Sequence, residues 1–547
     1  MHVALVILLL LSATALSSLI TRAIRVPLPL LQIAMGVLID LAGLPLRLEP
    51  DVFMLLFIPP LLFADAYVMP MRAFRRLRGV ILALALGLVL FSTLAGGWFI
   101  HWLEPGVPLA ACFALAAVLS PTDAVAVGSI LEGSRAPRRF LHILSGEALL
   151  NDASGLVCFR FAALATMSGG FSLLGASGTF LGMVAGGVGV GIVVGWLASR
   201  LTSILARRAP DAPAAHVTLV AMLPFAAYLG AERLGGSGIL AAVAAGITLN
   251  RAGGGGGFAQ LRLNHQVVWS MIGFLFNGVI FLLLGLQLPQ IVARAMDLAR
   301  ADRLPAWQLP VTVLLTTLAL IALRLVWLRL SLAVRWTHAR LRRRQAVQPS
   351  WRGSLAIAVA GVRGAITLAA VLSLPAASQD TRGFPHRDLL IAIAAGVIIC
   401  SMLLAAMLLP LLVRNLALPE PDTLEQEIAA ARIAMARAAL EVTGQFRDRV
   451  ATDDDAAALV ADTVGGEHQR RLERLEADEA NDKRARAINL HRRETALRLR
   501  ALRAQRAELS RLLRAERIDD EGSRRLQHEL DMEEAALLGS AEALAKL

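Results

Sequence analysis

An ionisable side chain inside a long apolar stretch costs about 2.5–3.5 kcal/mol or more if that stretch crosses a bilayer, so each one needs a compensating role. The sequence holds eight such positions: Asp65, Asp123, Glu147, Asp152, Arg160, Arg324, Arg329 and Arg363. Asp123 falls in Ser120-Pro121-Thr122-Asp123-Ala124-Val125. Pro121 removes a backbone donor and clashes with the preceding turn, so the helix is expected to break or kink there. A break frees carbonyls upstream and N–H groups downstream. At membrane depth such backbone is tolerated only where it is buried in protein or lines a polar cavity. Freed carbonyls, the Thr122 hydroxyl and a carboxylate are hard oxygen donors, suited to a hard cation such as Na⁺. A structural kink with Asp123 capping the half-helix fits the same residues.

A second acidic cluster follows on the next stretch, Ser145-Gly146-Glu147-Ala148-Leu149-Leu150-Asn151-Asp152. Loss of hydration favours the neutral form of a carboxyl, so a buried one can trade its proton near cellular pH. One carboxylate holds either H⁺ or a cation, and competition for one site is all that antiport requires. Asn151 adds an amide beside Asp152 without adding charge. Glu147 and Asp152 are five residues apart, about 140° around a helix, so they are expected to do different jobs. Glu147 needs its own partner, and Arg363, within Gly361-Val362-Arg363-Gly364-Ala365, is the expected one. Asp65, after Pro59-Pro60, is expected to be a cation-attracting acid or to pair with a loop arginine. Arg160 is expected in a structural pair or as an outer-end anchor, Arg324 and Arg329 in snorkelling or packing, and Asn277 and Ser237 in contacts between helices.

These residues need elements to position them. Of the 547 residues 56% are hydrophobic and 18% charged, where a soluble domain carries about 25% charge. Thirteen apolar stretches are expected to cross a membrane, at about 3–20, 27–43, 52–69, 79–101, 109–131, 140–166, 173–199, 214–231, 235–250, 266–288, 309–333, 354–375 and 388–414. With the N-terminus outside, the inside loops hold the bulk of the arginines, including Arg72, Arg75, Arg76, Arg78 and the run Arg335 to Arg352. The outside loops hold few: Arg47, Arg233, Arg294, Arg300, Arg303, Arg382 and Arg387. The first six stretches and the last six then form inverted repeats around the seventh, and the Pro-broken fifth corresponds to the Gly-interrupted twelfth. Interrupted helices at matching places in two halves point to a transporter site. The fold class expected is therefore all-α integral membrane, with two broken crossing helices.

The boundary between domains lies at a change of composition, with a membrane part at 1–416 and a helical cytoplasmic tail at 417–547. From Leu418 onward the chain carries 22 basic and 27 acidic residues, so the membrane part holds +17 against a net +12 for the whole. The positive charge thus belongs to membrane loops, which argues against a nucleic-acid partner. Cys112, Cys158 and Cys400 have neither metal nor disulfide spacing. The Gly253–Gly257 run reads as a linker, with no Lys-Ser/Thr after it to make a phosphate loop, and no cofactor is called for. Aromatic residues are only 5% and scarce around both acidic clusters, which disfavours an organic-solute/proton carrier. Ser237 has no evident His partner within the membrane, which disfavours an intramembrane enzyme. A channel or sensor with a signalling tail stays open on composition.

Taken in order, Ser120-Pro121-Thr122-Asp123-Ala124-Val125, Gly146-Glu147 with Asn151-Asp152, Ser237-Gly238-Ile239-Leu240-Ala241, Phe276-Asn277 with Leu284-Gly285, and Gly361-Val362-Arg363-Gly364-Ala365 resemble the monovalent cation:proton antiporter family. That family includes bacterial and animal sodium/proton exchangers, and the resemblance covers about residues 3–414. It implies a homodimer with a dimerisation domain and a mobile core, working by elevator-like alternating access in the bacterial inner membrane and serving pH homeostasis. Na⁺, with Li⁺ or K⁺ as alternatives, and H⁺ are the implied substrates. Asp152 matches the family's ion- and proton-binding carboxylate, Thr122 and Asp123 the residues beside it, and Glu147 and Arg363 a structural ion pair. Asn151 matches the asparagine of electroneutral members. Two positions depart from the pattern: Ala148 stands where many relatives have Ser, and Asp65 lies one place after the usual acidic position, which here is Ala64.

Overall fold

The structure is a computed structural model. It describes residues 2–24, 26–43, 50–132, 134, 136–168, 173–208, 213–252, 259–301, 305, 307–341, 350–375, 383–414, 423–450, 455–476, 482–515 and 517–545. The Gly253–Gly257 linker, Arg25, Arg47, Arg135, Arg303, Arg382 and positions 342–349 of the basic run lie outside the described residues.

Every regular element among the described residues is helical. In chain order these are α1 (His2–Ala23), α2 (Leu28–Leu41), α3 (Pro50–Val68), α4 (Met71–Leu82), a π-helical segment (Ala83–Leu88), α5 (Val89–Leu103), α6 (Leu109–Leu119), α7 (Ala124–Ile130), α8 (Arg138–Ser168), α9 (Leu173–Arg208), α10 (Pro213–Arg233), α11 (Gly238–Ala252), α12 (Ala259–Ala301), α13 (Gln308–Leu341), α14 (Trp351–Val359), α15 (Ala365–Leu372) and α16 (Arg387–Val413). The tail adds α17 (Thr423–Val450), α18 (Asp455–Glu476), α19 (Asp482–Arg514) and α20 (Asp520–Ala545). Two compact units result, Met1–Leu418 and Pro419–Leu547.

Among the described residues, seven helices are long and apolar enough to cross a membrane, or eight if α6 and α7, bent by 49° at their break, count as one span. Others of the thirteen expected stretches lie in shorter apolar segments of the described helices. Ile7–Thr21, Leu28–Leu41, Met54–Val68 and Gly238–Arg251 form apolar helices of 10–17 residues, and the expected twelfth is divided between α14 and α15. Local chemistry sets several limits. Pro27 precedes the first turn of α2, where a missing N–H costs nothing, and Ser237 begins α11 by accepting from Leu240 N at 3.4 Å.

The helices of the first unit pack as two bundles. One gathers α1, α2, α3, α9, α10, α11 and α12; the other gathers α4 to α8 with α13 to α16. In the second bundle the π-helical segment leaves carbonyls off the regular ladder. Trp327 Nε1 donates to Ala83 O at 2.9 Å and Ser154 Oγ to Ala85 O at 2.5 Å, which satisfies them. The bundles meet along α3, α12, α15 and α16, with α2 against α7. In the tail, α17 packs on α18 and α19 on α20, burying Ala436, Ala461, Leu502 and Leu509.

Candidate functional site

Both expected breaks are present, and they meet. α6 ends at Leu119 and α7 starts at Ala124, while α14 ends at Val359 and α15 starts at Ala365. Breaking a helix leaves backbone groups that need partners, and here each break supplies the other. Asp123 N donates to Val362 O at 2.8 Å. Arg363 Nη1 donates to Ser120 O at 2.7 Å and Pro121 O at 2.9 Å. Thr367 Oγ1 donates to Val118 O at 3.0 Å. Asp123 begins α7, its Oδ1 accepting from Val125 N at 2.8 Å and Ala126 N at 3.0 Å. The capping role therefore occupies one oxygen of Asp123.

Against this crossing lies a cavity of about 240 Å³. The second bundle contributes Thr122, Asp123, Ser145, Ala148, Asp152 and Thr367, and the first contributes Asp65 and Asn277. Three carboxylates thus share one space. Asp123 and Asp152 are half-buried and Asp65 is exposed. The cavity extends to Val68, Met69 and Pro70 at the end of α3, where Val68, Pro70 and Ser145 are exposed. Asp65 therefore joins the same site from the opposite bundle. Asn277, expected in a contact between helices, also lines the cavity. Ala148, one turn before Asp152, also lines it and brings no hydroxyl.

Glu147 points elsewhere, as its spacing from Asp152 requires, but its expected partner is wrong. Arg324 of α13, not Arg363, holds it. Arg324 Nη2 donates to Glu147 Oε2 at 2.7 Å, Nη1 donates to Oε1, and Nε donates to Ile357 O at 2.9 Å. The two side chains are each 1% exposed, so Arg324 does not snorkel. The reason is local supply and demand. The carbonyls freed by Pro121 draw the Arg363 guanidinium to the crossing, and Arg324 is left to meet Glu147. Gly361 makes room for Arg324: a Cβ there would lie 3.0 Å from Arg324 Cδ.

A hydrogen-bonded chain connects this pair to the crossing. Asn151 Nδ2 donates to Thr122 Oγ1 at 2.9 Å, and Thr122 Oγ1 donates to Glu147 Oε1 at 3.4 Å. Thr122 and Asn151 are buried. The Thr122 hydroxyl thus keeps one uncommitted lone pair. The Asp152 carboxylate makes no hydrogen bond among the described residues and has the cavity in front of it. Arg160, two turns further along α8, pairs with Glu232 at 3.1 Å, and Arg329 is exposed. Sequence reasoning named Arg324 without its partner and Ser145 without a place in the cavity. The signal for Arg324 was a buried cation in an apolar stretch, but Arg363 carried the same signal.

A family model described as sodium/hydrogen exchanger, transmembrane, matches residues 6–415. The chain is 40% identical over 555 residues to an uncharacterized Na(+)/H(+) exchanger of Escherichia coli (strain K12), YjcE, covering 98% of this chain and 99% of that one. It is 35% identical over 540 residues to a sodium, potassium, lithium and rubidium/H(+) antiporter of Bacillus pumilus (strain SAFR-032), covering 97% and 78%. In fold it is similar to the sodium proton antiporter MjNhaP1 of Methanocaldococcus jannaschii, with a TM-score of 0.58 at 19% identity, over 76% of this chain and 99% of that one.

Proposed function

The chain belongs to the sodium/hydrogen exchanger family, and from that premise we propose that it exchanges a monovalent cation for H⁺ across a bacterial inner membrane. Asp152 is the shared site, holding a proton or a cation in turn. Asp123, through the oxygen not used in capping, and Thr122, through its remaining lone pair, complete the cation's oxygen shell. Asp65 draws cations into the cavity. Asn151 orients Thr122 and carries no charge, so one cation exchanges for one proton and the cycle is electroneutral.

The observation that carries this reading is the convergence of three carboxylates on one cavity at the crossing of two broken helices. No aromatic side chain lines the cavity among the described residues, which favours an ion over an organic body. Exchange requires the cavity to open alternately to either side, with one bundle moving against the other in a homodimer. The arginines following Pro70, at Arg72, Arg75, Arg76 and Arg78, support a reading in which the open end faces the cytoplasm by the positive-inside rule, with the N-terminus outside and the tail inside.

The test is cation-driven collapse of a pH gradient in inside-out vesicles or proteoliposomes, with Na⁺, Li⁺ and K⁺ added in turn. Wild type is expected to respond to at least one cation and Asp152→Asn to none. A folded, inserted wild-type protein that responds to no cation at any pH would remove the proposal. A broad response including K⁺ is a second reading, favoured by Ala148: without a hydroxyl there, the shell is less demanding of a small ion. The Bacillus pumilus relative named for four alkali cations points the same way.

A further inference from the structure

Among the described residues two ion pairs connect the bundles, and both lie at the end away from the cavity's opening. The lining of α8 runs from Asp152 back to Ser145, toward the end of α3 at Pro70. Arg160 lies on the other side, eight residues or about 12 Å beyond Asp152. Its partner Glu232 ends α10 of the opposite bundle, with Oε1 accepting from Arg160 Nη1 at 3.1 Å and from Gly238 N at 3.3 Å. Glu232 is therefore tied to the start of α11. The other end of α11 is at the cavity's opening, where Asn250 Nδ2 donates to Met69 O at 2.9 Å.

The second pair is Arg294 of α12 with Asp388 of α16, at 3.9 Å. Asn277 of α12 lines the cavity, and Arg294 is 17 residues further along. Asp388 lies past α15, whose first turn lines the cavity at Ile366 and Thr367. Arg387 beside it fixes that corner by donating to Leu374 O at 2.8 Å and Leu372 O at 3.0 Å, and approaches Asp388 at 3.6 Å. Between the cavity and Arg160 sits Leu156, 3% exposed, one turn beyond Asp152 and one turn before Arg160 on roughly the same side of α8.

We propose that Arg160–Glu232 and Arg294–Asp388 form a latch that keeps the far face closed while the cavity is open at the Pro70 end, and that both pairs part when the far face opens. Side chains of both pairs are about one-third exposed or more. Each is thus a modest, water-accessible contact that can break and re-form in a cycle, unlike the buried Glu147–Arg324 pair within one bundle. The proposal rests on the reading that the cavity alternates between faces, but it can be tested without any transported ion.

The experiment uses the full chain with Cys112, Cys158 and Cys400 replaced by Ala and Leu156→Cys as reporter, labelled from the Arg160 face by a membrane-impermeant charged thiol reagent. Glu232→Gln and Asp388→Asn are each expected to raise the labelling rate by about two- to fivefold. Arg160→Glu combined with Glu232→Arg is expected to bring it back toward the parent. Unchanged labelling in both neutralised variants overturns the latch. A second measurement guards against misfolded variants: Arg160→Cys with Glu232→Cys, joined by a short bifunctional thiol reagent, is expected to stop cation-driven pH change until the link is cleaved. Full exchange in linked protein overturns the latch as well. Labelling that shifts as expected while no variant or parent exchanges cations would keep the latch and remove the antiport reading.

Discussion

Arg324 and Glu147 meet through both nitrogens of the fork, with neither side chain more than 1% exposed. Removing one partner leaves the other charge buried and alone, which costs about 3–5 kcal/mol. Arg324→Gln is therefore expected to lower the unfolding midpoint in detergent sharply. Glu147→Gln with Arg324→Gln should recover much of the loss, because two neutral amides replace a lone charge. Arg363→Gln removes a donor from two carbonyls within the crossing and is expected to cost less, about 1.5–3 kcal/mol. If Arg363→Gln were the more damaging of the two, the partner of Glu147 would have to be reassigned. Thr122 stands between the pair and the cavity. Thr122→Val leaves the Asn151 amide without its acceptor, at about 1–3 kcal/mol, and Thr122→Ser keeps the hydroxyl and should restore most of that stability.

At the scale of elements, helix contacts in this fold depend on where a side chain is missing. α2 and α12 touch backbone to backbone: a Cβ on Gly285 would lie 2.0 Å from Ile33 O. Gly285→Ala must push the helices apart and is expected to cost about 1–3 kcal/mol. Gly273, on the same helix, has nothing within 4 Å of a built Cβ. Gly273→Ala should leave the thermal midpoint at or above the parent, since alanine is the better helix former; equal loss in both variants would contradict this packing. The broken elements were readable from their residues, because Pro121 dictates a break by its missing donor and Gly361 and Gly364 interrupt the matching helix. The five-residue spacing likewise separated Glu147 from Asp152. What could not be read was which arginine each acceptor takes. Arg324 and Arg363 both lie in apolar stretches, and only the crossing of α6 and α14 decides that the freed carbonyls of Ser120 and Pro121 claim Arg363.

At the scale of the whole molecule, the two units are held by electrostatics of different kinds. The membrane unit's Glu147–Arg324 pair is shielded from water, and buried pairs respond little to salt. In the tail unit, Arg506 bridges Asp531 at 2.5 Å and Glu534 at 2.6 Å, Arg437 meets Glu476 at 2.7 Å, and Arg447 meets Asp462 at 3.2 Å, all partly or largely exposed. Such contacts are screened within about 3 Å at 1 M salt. Arg511 hydrogen-bonds the Glu508 carboxylate and holds its pKa below the usual range. A depressed carboxylate pKa stabilises the folded helix above the ordinary pKa near 4.5, and that contribution is lost as pH falls through the lowered value. The full chain in detergent, followed by far-ultraviolet circular dichroism on heating, is therefore expected to melt in two steps. The first step, from the tail, should move down when salt rises from low concentration to about 1 M and again when pH drops below the ordinary carboxylate range. The second step, from the membrane unit, should stay in place with salt. A single transition that ignores salt would mean that the exposed ion pairs of the tail contribute nothing measurable and that the two units unfold together.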